Sequence, residues 1–313
     1  MSDWEFVKTR TAADGAVWRS PDGLLYKRTG TAAVAAEAHH LRELADLGYP
    51  VPEVVDAGRD ESGRYYFVER SVSPRSLHDQ ALAGAEQTGL VGPHVLDGAA
   101  AVSARLLSAQ ARNPLPGGPQ PLWEWFERAG FTENVFAENP DLDTLHVRTA
   151  MDHAADRLAG VPMCRSHLDY GLPNVFDSGV IDWQHHGLAP LGYDVYPMLE
   201  IVPFKGGTKG YRFTTDQRER YLAALDQTAL TVTGRPLRGF ISEFLLVKCF
   251  FFLALMRPRD ATRPDKHTKW QYRRTLFTQG LEQYESSGAI HTDTFPTLAA
   301  FTDQATRTGA GRP

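Results

Sequence analysis

The segment HLDYGLPNVFDSGVIDW (residues 167–183) sets two short apolar runs around a turn and gathers its polar residues at the far end. A surface hairpin ordinarily carries its carboxylates at the turn. Here only Asp177 is placed there, while Asp169, Asn174 and Asp182 lie at the open end. If Asp177-Ser178-Gly179 forms a three-residue turn, Phe176 pairs with Val180, Val175 with Ile181, and Asn174 with Asp182. Opposed residues on one face hold their Cβ atoms about 4.5–5.5 Å apart, so one amide oxygen and one carboxylate can share a hard cation. Mg²⁺ suits such a sparse oxygen set, because it completes its octahedron with phosphate and water. Asp169, just ahead of the pair, is positioned to orient an incoming hydroxyl or take its proton.

His167-x-Asp169-x₄-Asn174 followed by Ile181-Asp182-Trp183 resembles the aminoglycoside phosphotransferase family, kin of choline and homoserine kinases. The run GLAPLGYDVYPML (187–199) is similar to that family's continuation, with a structural aspartate at Asp194. The resemblance implies an α+β, bilobal, protein-kinase-like fold: a small β-rich N-terminal lobe and a larger helical C-terminal lobe. It implies ATP or GTP as phosphoryl donor, Asp169 as the catalytic aspartate, and Mg²⁺ on Asn174 and Asp182. His167 reads as a brace for the catalytic loop rather than a proton shuttle. Three departures mark a divergent member. Leu168 stands where the family has glycine, Pro173 precedes Asn174 where glycine is usual, and only 13 residues separate Asp169 from Asp182.

The same fold asks the N-terminal lobe for a lysine on its third strand and a glutamate on the following helix. Lys27 in LLYKR and Glu37 in the helical run 31–48 are the expected pair, with Glu43 as the fallback if the helix is rotated. Gly15 falls in the loop placed to cover phosphates, and FVERSV (67–72), with Glu69 and Ser71, reads as the hinge facing the base.

Outward from these motifs, WEFVKT, GAVWRS, LLYKR, EVVDAG and RYYFVERSV read as strands, with one helix over 31–48 capped by Thr31 and stopped at Gly48. Helical periodicity recurs at 94–112, 141–160, 214–233, 237–257 and 268–286. NPLPGGPQP (113–121) reads as a loop and the C-terminal tail as frayed. These patterns divide the chain into a nucleotide-binding lobe, residues 1–72, and a catalytic and substrate-binding lobe, residues 73–313.

Composition sets the remaining bounds. The 313 residues carry a net charge of −5, which argues against nucleic acid or an anionic membrane as partner. FLLVKCFFFLALM (244–256) is too short to span a bilayer and contains Lys248, so a buried core helix is expected. Two cysteines without metal-ligand spacing, Cys164 and Cys249, fit free thiols in a reducing cytoplasm. The expected partners are a nucleoside triphosphate and a small molecule offering a hydroxyl, bound by a monomer or homodimer. An antibiotic is the first expectation for that molecule, and a choline-like, sugar or amino-alcohol metabolite the second. A nucleotide-binding pseudokinase is the alternative of another class. The acidic residues Glu124, Glu127, Asp141, Asp143, Glu200 and Asp216 are too scattered in sequence to show whether the acceptor wall is acidic.

Overall fold

In the computed structural model, residues 4–10, 13–128, 131–201, 210–255 and 264–309 are described. The five N-terminal runs form β1 (Glu5–Arg10), β2 (Gly15–Arg19), β3 (Leu25–Gly30), β4 (Val54–Arg59) and β5 (Tyr65–Arg70). They pair antiparallel in the order β1-β2-β3-β5-β4, so β3 and β5 are central. Helix α1 (Ala32–Asp46) lies between β3 and β4 in sequence and packs against the sheet through Val34, Ala38, Leu41 and Leu44. That spacing is one stripe of a 3.6-residue helix. Thr31 holds the N-cap position, although its side chain makes no capping bond, and Gly48 follows the helix with φ +80°.

The rest of the described chain is mainly helical. The segment begins with α2 (Leu77–Thr88), α3 (Pro93–Arg112), α4 (Pro119–Arg128), α5 (Phe131–Glu138) and α6 (Leu145–Leu158). Two short strand pairings follow: β6 (Met163–Ser166) with β9 (Gly187–Pro190), and β7 (Val175–Phe176) with β8 (Gly179–Val180) between them. Then come α7 (Thr215–Thr233), α8 (Ile241–Leu255), α9 (Pro264–Ser287) and α10 (Leu298–Gly309). Helix α8 is buried on all sides from Ser242 to Leu253, which is why its sequence is nearly all apolar and why it threads the centre of the helical part. One contiguous hydrophobic core runs from Ala13 to Leu298 and contains both free cysteines. No described helix is long and apolar enough to cross a membrane.

The expected strands and the longer helices are present. Further helical segments exceed expectation, α5 among them. Residues 77–88 are helical, the loop after Asn113 gives way to α4 at Pro119, and the tail is helical to Gly309. In α2 the start signal is local: the Ser76 hydroxyl accepts from the Asp79 amide, as an N-cap should.

Candidate active site

The catalytic-loop residues follow β6, whose pairing with β9 fixes where the chain leaves the strand. Asp194 then holds the loop from beneath. Its carboxylate accepts from the backbone amides of His167 (2.9 Å) and Leu168 (3.1 Å) and from the Gln110 side chain (2.9 Å). His167 is fully buried, and its Nε2 lies 2.8 Å from the Ile181 carbonyl oxygen. The imidazole thus ties the loop to Ile181, the residue before Asp182, while Asp194 holds the loop's backbone.

Leu168 adopts φ +63°, a left-handed conformation that costs a branched L-residue about 1 kcal/mol and explains why glycine would be comfortable there. The fold accommodates leucine by placing Gly187 opposite it. A Cβ on Gly187 would come within 2.9 Å of Leu168 Cδ1.

Asp169 is half-buried, and Asn174 Nδ2 donates to its backbone oxygen (3.0 Å) and lies 3.4 Å from its Oδ2. With its nitrogen turned to Asp169, Asn174 leaves its amide oxygen available to a cation. The hairpin register differs from expectation by one residue. Val175 pairs with Val180 and Phe176 with Gly179, so the turn has two residues, Asp177 and Ser178. Asn174 therefore lies across from Ile181, whose amide donates to its carbonyl at 3.0 Å, and not from Asp182. Asp182 reaches the site by another device, a left-handed backbone at φ +68° that redirects the chain after the strand. Among the described residues no hydrogen-bond donor engages the Asp182 carboxylate, and no cluster of three His, Cys, Asp or Glu side chains forms a metal cage. The Asn174 amide oxygen and the Asp182 carboxylate are the donor types that would hold a phosphate-bound Mg²⁺.

The hairpin tip has its own task. Ser178 Oγ donates to the Val72 carbonyl, the Val180 amide donates to the Pro50 carbonyl (2.7 Å), and Arg105 donates to the Ser178 carbonyl (3.0 Å). Asp177 accepts from Gln80 (3.2 Å) and Ser73 (3.4 Å). The turn thus clamps the connection between β5 and α2 onto the helical part.

Across the cleft the structure corrects the cation assignment. Lys27 does not pair with Glu37; its Nζ lies 4.6 Å over the Tyr66 ring. Arg28 takes the expected place, bound to Glu69 at 2.7 Å and lying 3.7 Å from Glu37. Register gives the reason. Arg28 sits between Val17 and Phe67, both buried, whereas Lys27 sits between Trp18 and Val68 on the other face. Arg10 from β1 completes the set, 2.7 Å from Glu37. Burial opposes the Arg28 charge, but Glu69, Glu37 and Asp182 outweigh it and raise its pKa above the ordinary arginine value.

Arg28, Glu69, Ser71 and Asp182 line one cleft of about 200 Å³, with Val72 and Phe176 among its apolar walls. Glu69 and Ser71 both line this cleft, and neither has the free backbone expected of a simple hinge. Glu69 is still within β5, and one of its carboxylate oxygens is buried without a partner. The Ser71 amide is already bonded to the Leu24 carbonyl (2.8 Å). Gly15 opens β2, where a Cβ would run into the Thr29 carbonyl oxygen at 1.7 Å. Close packing against β3 accounts for that glycine, and residues 11–12 of the adjoining loop lie outside the described residues.

His186, downstream of Asp182, stacks on His40 of α1 with ring centroids 3.6 Å apart. Sequence reading missed Arg28, Arg10 and the His40–His186 contact. Only the Arg28 position had a signal, the two-residue alternation of β3.

A family model described as the phosphotransferase enzyme family matches residues 9–240. Among curated protein sequences none matches. Solved structures do. A candidate aminoglycoside phosphotransferase from Ralstonia eutropha JMP134 superposes with a TM-score of 0.59 at 19% identity, covering 91% of this chain and 93% of that one. A thermostable mutant of aminoglycoside phosphotransferase APH(4)-Ia, in ternary complex with AMP-PNP and hygromycin B, gives 0.59 at 15% identity over 92% and 95%. The GDP complex of aminoglycoside 2'-phosphotransferase-IIIa gives 0.52 at 14% over 91% and 92%. At these identities the likeness establishes a shared kinase-like fold.

Proposed function

Because this chain belongs to the phosphotransferase enzyme family, and is thus a small-molecule phosphotransferase acting on a hydroxyl, we propose that it is an ATP-dependent O-phosphotransferase, with GTP as the other candidate donor. In this reading the cleft lined by Arg28, Glu69 and Ser71 receives the nucleotide, and Asn174 and Asp182 hold Mg²⁺. The observation that carries the reading is the disposition of three side chains. Asp169 is fixed by Asn174 at the base of the site, and the Arg28 guanidinium stands on the facing wall within electrostatic reach of Asp182.

Magnesium nucleotide, when bound, supplies the transferable phosphoryl group and neutralises its charge. Asp169 orients the acceptor hydroxyl and takes its proton. Asn174 holds Asp169 by a bond to its backbone, so the carboxylate need not reorganise. Arg28, held by Glu69 and Glu37, offers fixed donors on the phosphate side. Arginine's planar fork makes it a two-point phosphate ligand where lysine is a point charge. Two buried free thiols are consistent with a cytoplasmic setting.

Relatives that share the fold and are described as aminoglycoside phosphotransferases favour an antibiotic acceptor. A metabolic alcohol is the second reading. The decisive experiment follows ATP consumption across a panel of antibiotics and metabolic alcohols with wild type and Asp169→Asn. Turnover should fall roughly 10²–10⁴-fold in the variant, the range lost with a general base. MgATP binding, read by thermal shift, should be retained. Near-normal turnover in Asp169→Asn refutes the assignment.

A further inference from the structure

The cleft between the sheet and the β7–β8 hairpin has two unlike ends. Arg28 and Asp182 stand at one; at the other the hairpin tip meets Val72 and Ser73. Between them the walls are apolar, with Val17 and Tyr26 on the sheet side and Phe176 and Ile181 on the hairpin side. A slot walled in this way suits an aromatic ring, with a few polar groups left to fix its orientation.

Glu69 is such a polar group, and it lines the same cleft. It pairs with Tyr26, two residues beyond the Phe67 that lies opposite Arg28. At the rise of a strand, that sets its backbone about 7 Å along β5 from the level of Arg28, towards Ser71. Glu69 is 3% exposed. Its Oε1 takes both Arg28 bonds, from Nε at 2.8 Å and from Nη2 at 2.7 Å. Its Oε2 is buried with no hydrogen-bond partner among the described residues. Burial pushes the carboxyl pKa up, and the Arg28 guanidinium pulls it back towards the ionised form, which can only accept hydrogen bonds. A buried charged oxygen without a donor is costly, so a donor on the ligand has most to gain there.

The backbone beside the slot is already engaged. The Arg70 amide donates to the Glu53 carbonyl (2.9 Å) and the Ser71 amide to the Leu24 carbonyl (2.8 Å). The Val72 and Ser73 carbonyls accept from the Ser178 and Ser71 hydroxyls. We propose that the Glu69 side chain selects the base of the nucleotide: Oε2 accepts from the exocyclic amine of adenine and repels the carbonyl oxygen that hypoxanthine and guanine carry at that ring position. Guanine's adjacent N1–H and 2-amino donors match a carboxylate with both oxygens free, and Arg28 holds one of these two. The inference rests on the phosphotransferase reading for the presence of a nucleotide, and makes Glu69 a specificity-determining residue of that site.

The test is equilibrium binding of ADP, IDP and GDP, each with Mg²⁺, to the full chain by titration calorimetry. IDP exchanges the adenine amine for a carbonyl, and GDP adds only the 2-amino group to IDP. Wild type should bind ADP about 10- to 100-fold more tightly than IDP or GDP, the worth of one hydrogen bond to a charged group. In Glu69→Gln, Arg28 holds the amide oxygen, so the amide nitrogen replaces Oε2 and presents donors in place of an acceptor. The preference for ADP over IDP should then fall by at least about tenfold. A purely structural role for Glu69 would weaken all three nucleotides alike and leave their ratios unmoved. The wild-type comparison needs no variant, so it decides the matter even if Glu69→Gln fails to fold. Equal binding of the three by wild type, a preference for IDP or GDP, or ratios unchanged in folded Glu69→Gln would overturn the proposal. Failure of all three to bind would overturn the phosphotransferase reading as well, whereas tight binding without base preference overturns only the role of Glu69.

Discussion

Each half of this molecule buries cationic side chains, and the two sets are built on opposite terms. In the sheet-bearing half Arg10 and Arg28 meet Glu37 and Glu69, two positive charges against two negative. In the helical half Lys248 has aromatic rings and a carbonyl for company and no ion-pair partner among the described residues. The first set is charge-balanced before any ligand arrives. In the proposed reading a triphosphate entering the cleft competes with Glu69 and Glu37 for Arg28, which makes that side a positioned frame. Lys248 instead rests on aromatic rings and one long hydrogen bond.

The sharpest way to break this comparison is to remove a charge from the satisfied set. Arg28→Ala strands Glu69 and Glu37 with only Arg10 between them, so urea denaturation should show a loss of about 3–5 kcal/mol, the usual cost of breaking a buried pair from one side. Glu69→Gln in the same background should recover part of the loss, because the stranded carboxylate is gone. Equal stability of Arg28→Ala and wild type would mean the quartet is not a coupled unit.

Between the two sets lies a pair that stays neutral. His40 of α1 stacks on His186, and burial first, then the charge His186 would carry, push the His40 pKa down to about 4. His39 and Glu43 from its own helix and Arg165 of β6 also act on it, while burial lowers His186 too and Glu37 pulls it upward. The folded protein thus binds fewer protons here than the unfolded chain, whose histidines titrate near ~6.5. Stability from this site is complete above that pH and is lost as pH falls toward 4, by roughly 2–3 kcal/mol in all. Urea midpoints measured from pH 8 to 4.5 should decline less steeply for His40→Gln. Parallel curves would remove the histidine pair from the account.

The different legibility of the two regions has a physical source. The catalytic segment was readable because its polar residues interrupt an apolar pattern at fixed spacing; in the structure Asn174 donates to Asp169, and Asp182 lines the cleft with Arg28. Their register was not readable, because a two-residue and a three-residue turn both suit Asp177-Ser178-Gly179, and the αL backbone at Asp182 leaves no compositional mark. Lys27 and Arg28 are adjacent cations, and alternation alone leaves undecided which face of β3 looks inward. Phe67 and Val17 decide it through cross-strand pairing, a long-range fact. Lys248 was visible as a charge in an apolar run, yet what it faces depends on how Asp194 and α9 pack around it.

That same lysine gives the smallest effect and the one of opposite sign. Methionine matches its length, fills the same buried path through α8 and has no charge to desolvate. Lys248→Met gives up one 3.4 Å hydrogen bond and two cation–ring contacts, together worth less than the cost of keeping a desolvated ammonium in the core. The variant should therefore be more stable than wild type without ligand, by roughly 1–2 kcal/mol in urea. A destabilised Lys248→Met would mean the ammonium is already satisfied, and the contrast between the two sets of cations would disappear.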